Sequence, residues 1–143
     1  MLSGTGPGEA ATSEISVSIA RDPALVRTVR LVAAAVARRS TGDEDFVEEV
    51  RLAVGEACAL LVGPGSSANG NGGPVEVTML LDRRLRVVVH ADGAVPLDDG
   101  LSSDIDGIEP WSLLRGLIDD LEIDRGVSGT SLSMSWELPG SST

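Results

Sequence analysis

Glu56 is the carboxylate whose setting in the sequence most suggests chemistry. It lies in the segment 45–62, where apolar residues recur at alternating steps of three and four, the spacing of one buried helix face: Val47, Val50, Val54, Ala57 and Leu61. Glu56 falls beside that face, with Leu52 and Leu60 one helical turn away on either side. A carboxylate in this position is either a solvated residue at the rim of a core or part of a site, and the pattern leaves both open.

Cys58 and His90 are two further side chains with chemical potential. Cys58 is the only cysteine, which excludes an intrachain disulfide and a metal cluster and fits a reducing, cytoplasmic setting. Its place in an alanine-rich turn predicts a small core residue. His90 lies at the end of a predicted strand, and nothing near it in the sequence suggests a second member of a catalytic dyad. We therefore expect a packed or hydrogen-bonded histidine there.

Acidic residues concentrate in the segment 92–109, which carries Asp92, Asp98, Asp99, Asp104, Asp106 and Glu109. Their spacing does not fit the D-x-[DN]-x-[DN]-G pattern of a calcium-binding loop. Structureless loops of this length in compact domains are usually functional lids or disordered segments. We therefore predict a solvated lid and no metal site.

The charge balance excludes one large class of functions. Acidic residues number 22 and basic residues 11, all of them arginine, which gives a net charge of -11. Proteins that bind nucleic acid neutralise phosphates with Lys and Arg, so this balance argues against such binding and favours a partner with a basic surface. No apolar run approaches the length of a membrane span, and residues 1–13 lack the features of a signal peptide.

Hydropathy periodicity and turn residues predict the order β-α-α-β-β-α-β-β. Strands are predicted at 14–20, 75–81, 85–91, 122–125 and 131–138, and helices after Asp22-Pro23, over 45–62 and from Pro110 to Leu121. The third helix would bury Leu113, Leu114, Leu117, Ile118 and Leu121. This order is typical of an α+β, two-layer sandwich with a mostly antiparallel sheet and three helices on one face. The predicted domain is 14–138, between a disordered tail, 1–13, and a loose tail, 139–143.

Four segments, in this order of elements, resemble the anti-sigma-factor serine kinases. They are LAVGEAC on the second helix, ADG after the third strand, LLRGLIDDLEI on the last helix, and Gly129-Thr130 at the opening of the final strand. These kinases belong to the superfamily of ATPase folds shared by histidine kinases, gyrase and a heat-shock chaperone. The resemblance implies a bacterial protein that holds a sigma factor inactive and is displaced by a small STAS-domain antagonist. Active members bind Mg-ATP and phosphorylate a serine of that antagonist.

The resemblance also implies a set of nucleotide-binding positions, several of which have changed. In the family a glutamate of the second helix acts as base, and an asparagine one turn later holds magnesium. Glu56 matches the glutamate, but Leu60 stands in the asparagine's place and cannot ligate a cation that demands oxygen. If binding were retained, its residues would be Glu56, Asp92, Gly93, Gly129 and Thr130.

The adenine-binding motif can be matched in two ways. The family has an aspartate that pairs with the adenine amino group, followed by spaced glycines. Matching Gly93 to the first glycine puts Ala91 in the aspartate's place, whereas matching Asp92 to the aspartate puts the glycine one residue early. The second glycine is missing in both cases, and the glycine-rich segment that should supply N–H groups to the phosphates reads IEPW at 108–111.

These departures predict an anti-sigma factor that has lost ATP binding and kinase activity, with Glu56 a vestigial base, no metal and no cofactor. The resemblance implies that the first strand and first helix form a homodimer and part of the sigma-binding face, where we expect Arg21, Arg27 and Arg30 to contact a partner. Two alternatives stay open. One is an active serine kinase that uses Mg-ATP to phosphorylate the STAS antagonist, and the other is a protein that binds the STAS antagonist only.

Overall fold

The computed structural model of the chain describes residues 13–63, 73–92, 118–126 and 129–139. Its strands are β1 (Ser13–Ile19), β2 (Val75–Leu81), β3 (Arg84–Asp92), β4 (Asp120–Arg125) and β5 (Gly129–Glu137). Its helices are α1 (Val26–Ser40) and α2 (Glu44–Val62), and a 3-10 turn (Pro23–Leu25) precedes α1.

The strands form one antiparallel sheet in the order β1-β2-β3-β5-β4, with α1 and α2 packed together on one face. Both helices pack against β2, and α2 also packs against β3. The predicted α+β class with an antiparallel sheet is confirmed. None of the helices in the described ranges is long and apolar enough to cross a membrane.

Side-chain caps define where the helices begin and end. The Asp22 carboxylate accepts a hydrogen bond from the Ala24 N–H ahead of the 3-10 turn, and the Asp43 carboxylate accepts from two N–H groups at the start of α2. At the other end of α2, Gly63 adopts φ 80°, a conformation that favours glycine. The breaks predicted around α1 and α2 are therefore confirmed.

The core lies between the helices and the inner face of the sheet. All five residues predicted for the buried face of the second helix are buried, and so is Cys58. In β5 the predicted alternation holds, with Leu132, Met134 and Trp136 buried and the intervening serines half-buried. Arg30, which is expected to contact a partner, has a side chain that is half-buried against Gly55 of α2.

The prediction for the third helix is wrong at its C-terminal end. Leu121 belongs to β4, which begins two residues before the predicted strand, and it packs with Ile123 against the core. In this segment the alternation of two apolar residues with acidic ones is the pattern that the structure follows. Ile118 is buried outside any helix, and residues 110–117 lie outside the described residues.

Gly129 allows β3 and β5 to approach closely at the end of the sheet. A β-carbon at this position would lie 2.5 Å from the carbonyl oxygen of Ala91 and 3.0 Å from the Asp92 α-carbon. Both contacts are with the backbone of a hydrogen-bonded neighbouring strand, which cannot move without breaking the pairing of β3 and β5. A glycine is therefore required where β5 begins.

We predict that Gly129→Ala destabilises the protein by about 1–3 kcal/mol, because the added methyl group overpacks against backbone atoms. Gly42→Ala is the matched control, since a β-carbon there would meet no atom within 4 Å. That change should alter the free energy of unfolding by less than about 0.5 kcal/mol. Urea unfolding followed by circular dichroism measures both, and equal midpoints for the two variants would contradict the close approach.

Candidate nucleotide-binding site

All five strands of the sheet have a terminus at one end, where Asp92, Gly129 and Thr130 lie. β1, β3 and β4 end there, and β2 and β5 begin there. In the pairing register, Ile19 lies opposite Val75, Val75 opposite Ala91, and Ala91 opposite Thr130. The neighbouring pair is Asp92 and Gly129. The backbones of Asp92, Gly129 and Thr130 are therefore neighbours at this end of the sheet.

Ala91 and Asp92 point to opposite faces of the sheet. Ala91 is fully buried in the core, on the face that the helices cover. The Asp92 side chain is 69% exposed and lies 2.8 Å from Nε2 of His90, two residues earlier on the same strand. His90 and Asp92 thus share the outer face, away from the helices.

This alternation bears on the two ways of matching the adenine motif. The residue at the end of β3 that faces the helix layer is Ala91, and its side chain is a methyl group. The carboxylate of Asp92 is on the other side of the sheet and is held there by His90. Thr130 is 6% exposed and lies beside Ala91 in the register, on the helix-facing side.

On α2, Glu56 lies between two leucines, on the flank of the buried face. Leu52 is 42% exposed, Glu56 is half-buried, and Leu60 is half-buried and packs against the core. The side chain at position 60 therefore offers methyl groups and no oxygen ligand. Within the described ranges no three His, Cys, Asp or Glu side chains are grouped so that they could hold a metal ion. Gly93 lies outside the described residues.

The three predicted partner-binding arginines have different surroundings. Arg21 donates from Nη2 to the carbonyl oxygen of Asp92, which ties the start of the first helical segment to the end of β3. Arg27 is exposed on α1. The Arg30 side chain packs over Gly55, where a β-carbon would lie only 2.3 Å from its Nε. The Nε atoms of Arg21 and Arg30 are buried, with no hydrogen-bond partner among the described residues.

A groove of about 380 Å³ separates the start of α1 from the end of α2. Arg27 and Arg30 are its two charged residues, and the others that line it are Pro23, Ala24, Val26, Ala59, Val62 and Gly63. A small apolar floor with two guanidinium groups is suited to hold an acidic side chain from a partner.

His90 takes part in a hydrogen-bonded group that sequence reasoning missed. Its Nδ1 lies 2.8 Å from Oγ of Ser131 on β5, and its Nε2 lies 2.8 Å from Asp92. The expectation of a hydrogen-bonded histidine is confirmed, and its two partners are Ser131 and Asp92. Ser131 is 41 residues away in sequence, so only the pairing register of β3 with β5 could have identified it.

Cys58, in the same motif as Glu56, is an inert thiol. It is fully buried, and this burial raises the pKa of the Cys58 thiol to about 11, against a smaller lowering effect of Arg30. Thiolate nucleophiles need a lowered pKa, so Cys58 has no such role.

Comparison with known proteins places the chain in a structural context. Residues 19–136 match the family model of the histidine kinase-like ATPase domain. A crystal structure of the RsbU and RsbW domains of Rv1364c from Mycobacterium tuberculosis has a similar fold, with a TM-score of 0.66 at 17% sequence identity. The match covers 88% of this chain and 32% of that one, so this chain spans about a third of the matched protein. No curated protein shows significant sequence similarity to the chain.

The raised pKa of Cys58 predicts a loss of stability at high pH. The Cys58 thiol has a pKa of about 11 in the folded protein and of 9.0 in the unfolded chain. Its contribution to the free energy of unfolding is therefore complete below pH 9 and is lost as the pH rises through 11. The free energy of unfolding should fall by about 2–3 kcal/mol over that range. The chain contains no Tyr or Lys, so no other side chain has an ordinary pKa there.

Urea unfolding at several pH values between 8 and about 11 measures this change. Cys58→Ala is the control, because it removes the titrating group and should flatten the profile. A wild-type profile as flat as that of the variant would contradict the raised pKa.

Proposed function

Because the chain belongs to the histidine kinase-like ATPase domain family, we propose that it is an anti-sigma factor that has lost the nucleotide chemistry of that family. It sequesters an alternative sigma factor through protein contacts, and a STAS-domain antagonist displaces it. The proposal combines the family membership with the sequence resemblance to the anti-sigma-factor serine kinases. It takes its main support from the side chain at the end of β3.

That side chain is Ala91, the last residue of β3 that faces the helices. In the active kinases that the chain resembles, an aspartate here accepts a hydrogen bond from the adenine amino group. The methyl group of Ala91 cannot accept one, so a bound adenine would leave its amino group unpaired, at a cost of about 1–3 kcal/mol. The Asp92 carboxylate cannot substitute, because it lies on the opposite face and contacts His90.

The metal position supports the same proposal. Leu60 packs against the core where the kinases have a magnesium-binding asparagine. Mg²⁺ requires oxygen ligands in near-octahedral geometry, and it normally neutralises the phosphates of the nucleotide. Without it, a triphosphate would meet a chain whose net charge is already -11. Loss of the carboxylate and of the metal ligand would each weaken Mg-ATP binding.

The surfaces available for protein partners are at the start of α1 and at the edge of the sheet. Arg27 is exposed beside the groove between the two helices and is our principal candidate for contact with the sigma factor or the antagonist. β1 is an edge strand with half-buried Ile15 and Val17, and Leu31 on α1 is 65% exposed. An unpaired strand edge next to exposed apolar side chains favours a homodimer through β1 and α1.

One observation favours a competing function. Glu56 is half-buried on α2, and Gly129 and Thr130 remain at the start of β5, as an active Mg-ATP-dependent serine kinase would need. An anti-sigma factor and a protein that binds only the STAS antagonist would have the same fold. The two functions differ in which partner the protein captures.

Affinity capture from the native cell tests the proposal. We expect wild-type protein to retain both a sigma factor and a STAS-domain protein, and Arg27→Ala to lose at least tenfold of each, because a charged contact at an interface typically contributes about 2 kcal/mol. Arg39→Ala is the matched control, since Arg39 is also exposed on α1 but lies at its other end. Capture of the STAS protein alone would identify the antagonist-only binder, and capture of neither would refute the proposal.

A phosphotransfer assay separates the proposal from the kinase. Wild-type protein mixed with the captured STAS protein and radiolabelled Mg-ATP should transfer no phosphate above the level of Glu56→Gln, because the nucleotide is not held. Transfer that the wild type performs and Glu56→Gln lacks would favour the kinase. Glu56→Gln is the matched control, because it removes the carboxylate and keeps the size of the side chain, so that the variant should fold like the wild type.

A further inference from the structure

Three side chains form a continuous hydrogen-bonded chain on the outer face of the sheet. Oγ of Ser131 lies 2.8 Å from Nδ1 of His90, and Nε2 of His90 lies 2.8 Å from Oδ1 of Asp92. Two of the residues are on β3 and one is on β5, and His90 and Ser131 are directly paired in the register. Neither nucleotide binding nor partner binding, as proposed above, uses this group.

The partners determine how the protons are arranged. An ionised carboxylate only accepts hydrogen bonds, so the Asp92 side chain requires a proton on Nε2 of His90. In the neutral ring Nδ1 then carries the lone pair, and the Ser131 hydroxyl must donate to it. A hydroxyl that donates to an imidazole oriented by a carboxylate is the arrangement of an activated nucleophile, its base and the group that orients the base.

The backbone of β5 helps to position the imidazole. A β-carbon on Gly129 would lie 3.0 Å from Cε1 of His90, so the ring rests closely against a residue with no side chain. Arg21 donates to the carbonyl oxygen of Asp92 and so holds the end of β3. The imidazole is therefore oriented by its two hydrogen bonds and by the close contact with Gly129.

The group is open to small molecules. Ser131 is half-buried, the His90 side chain is 36% exposed and that of Asp92 is more exposed still. Besides Asp92, the charged side chains that face His90 from neighbouring strands are Glu76 on β2, directly paired with it, and Asp124 on β4, opposite Ser131. Asp92 is the carboxylate that lies within hydrogen-bond distance of the imidazole, and Glu76 and Asp124 lie on the neighbouring strands.

We propose that Ser131 is a reactive serine that accepts an acyl group from small activated esters. Oγ of Ser131 attacks the ester carbonyl carbon while its proton passes to Nδ1 of His90. The carbon–oxygen bond to the leaving group then breaks, and that alkoxide or phenoxide takes the proton from His90. The products are O-acyl-Ser131 and the free alcohol or phenol, with no oxidant or other reactant required.

The strand supplies a matched comparison for this reactivity. Ser133 lies two residues further along β5, on the same outer face and similarly half-buried, but it pairs with Val88 and not with a histidine. General-base assistance contributes about 10²–10⁴-fold to such a step. Ser131 should therefore react at least a hundredfold faster than Ser133.

The test uses the full-length protein with p-nitrophenyl acetate, with p-nitrophenol release followed by absorbance and the modified residue located by peptide mass spectrometry. We expect acetylation at Ser131, at least a hundredfold slower labelling of that residue in His90→Gln, and no such labelling in Ser131→Ala. Ser133→Ala should react like the wild type. Equal labelling of Ser131 and Ser133, or full reactivity of Ser131 in His90→Gln, would overturn the proposal.

Asp92→Asn provides a second variant that keeps the shape of the side chain. An amide allows the other imidazole tautomer, so the Ser131 hydroxyl loses its acceptor for part of the time and its acetylation should slow at least tenfold. Circular dichroism and the urea midpoint of each variant report on folding. A folded Asp92→Asn that labels Ser131 at the wild-type rate would also contradict the proposal.

Discussion

The alternation of side chains along β3 determines which residues lie on the helix-facing side of the sheet and which lie on its outer side. Successive residues of a strand point to opposite sides, so the last two residues of β3 cannot both face the helices. Ala91 faces α2 and Asp92 faces outward. That one assignment removes a carboxylate from the helix side of the sheet and supplies one to His90 on the outer side.

The register of β3 resists change because the strand is paired on both sides. It lies between β2 and β5, and its inner residues Leu85, Val87, Val89 and Ala91 are all fully buried. A shift by one residue would turn Asp92 inward, but it would also expose these side chains and bury Arg86 and His90. Each exposed valine or leucine would cost about 1.5–3 kcal/mol, which is more than a single adenine hydrogen bond returns. A register shift that turned the carboxylate to the helix side would therefore disrupt the centre of the sheet.

Much of the fold follows from local sequence patterns, but the site does not. The buried face of α2, the helix start at Asp22-Pro23 and the strand pattern of β5 are encoded by neighbouring residues, and sequence reasoning identified them. Whether Ala91 or Asp92 stands in the place of the adenine-binding aspartate depends on which face of the sheet each occupies. The spacing of the glycines in the sequence does not decide between them. The contact of His90 with Ser131 joins residues 41 apart, and the packing of Arg30 on Gly55 joins two helices. Leu121 fitted a helical and a strand pattern, and its pairing in β4 decided between them.

Titration of isotopically labelled protein with Mg-ATP, followed by nuclear magnetic resonance, tests most directly whether Ala91 and Leu60 prevent nucleotide binding. The backbone amides of Ala91, Thr130 and Glu56 report on the helix-facing end of the sheet and on α2. We predict that none of these resonances shifts in a saturable way at millimolar Mg-ATP. Saturable, magnesium-dependent shifts at all three amides with micromolar affinity would contradict the loss of nucleotide binding.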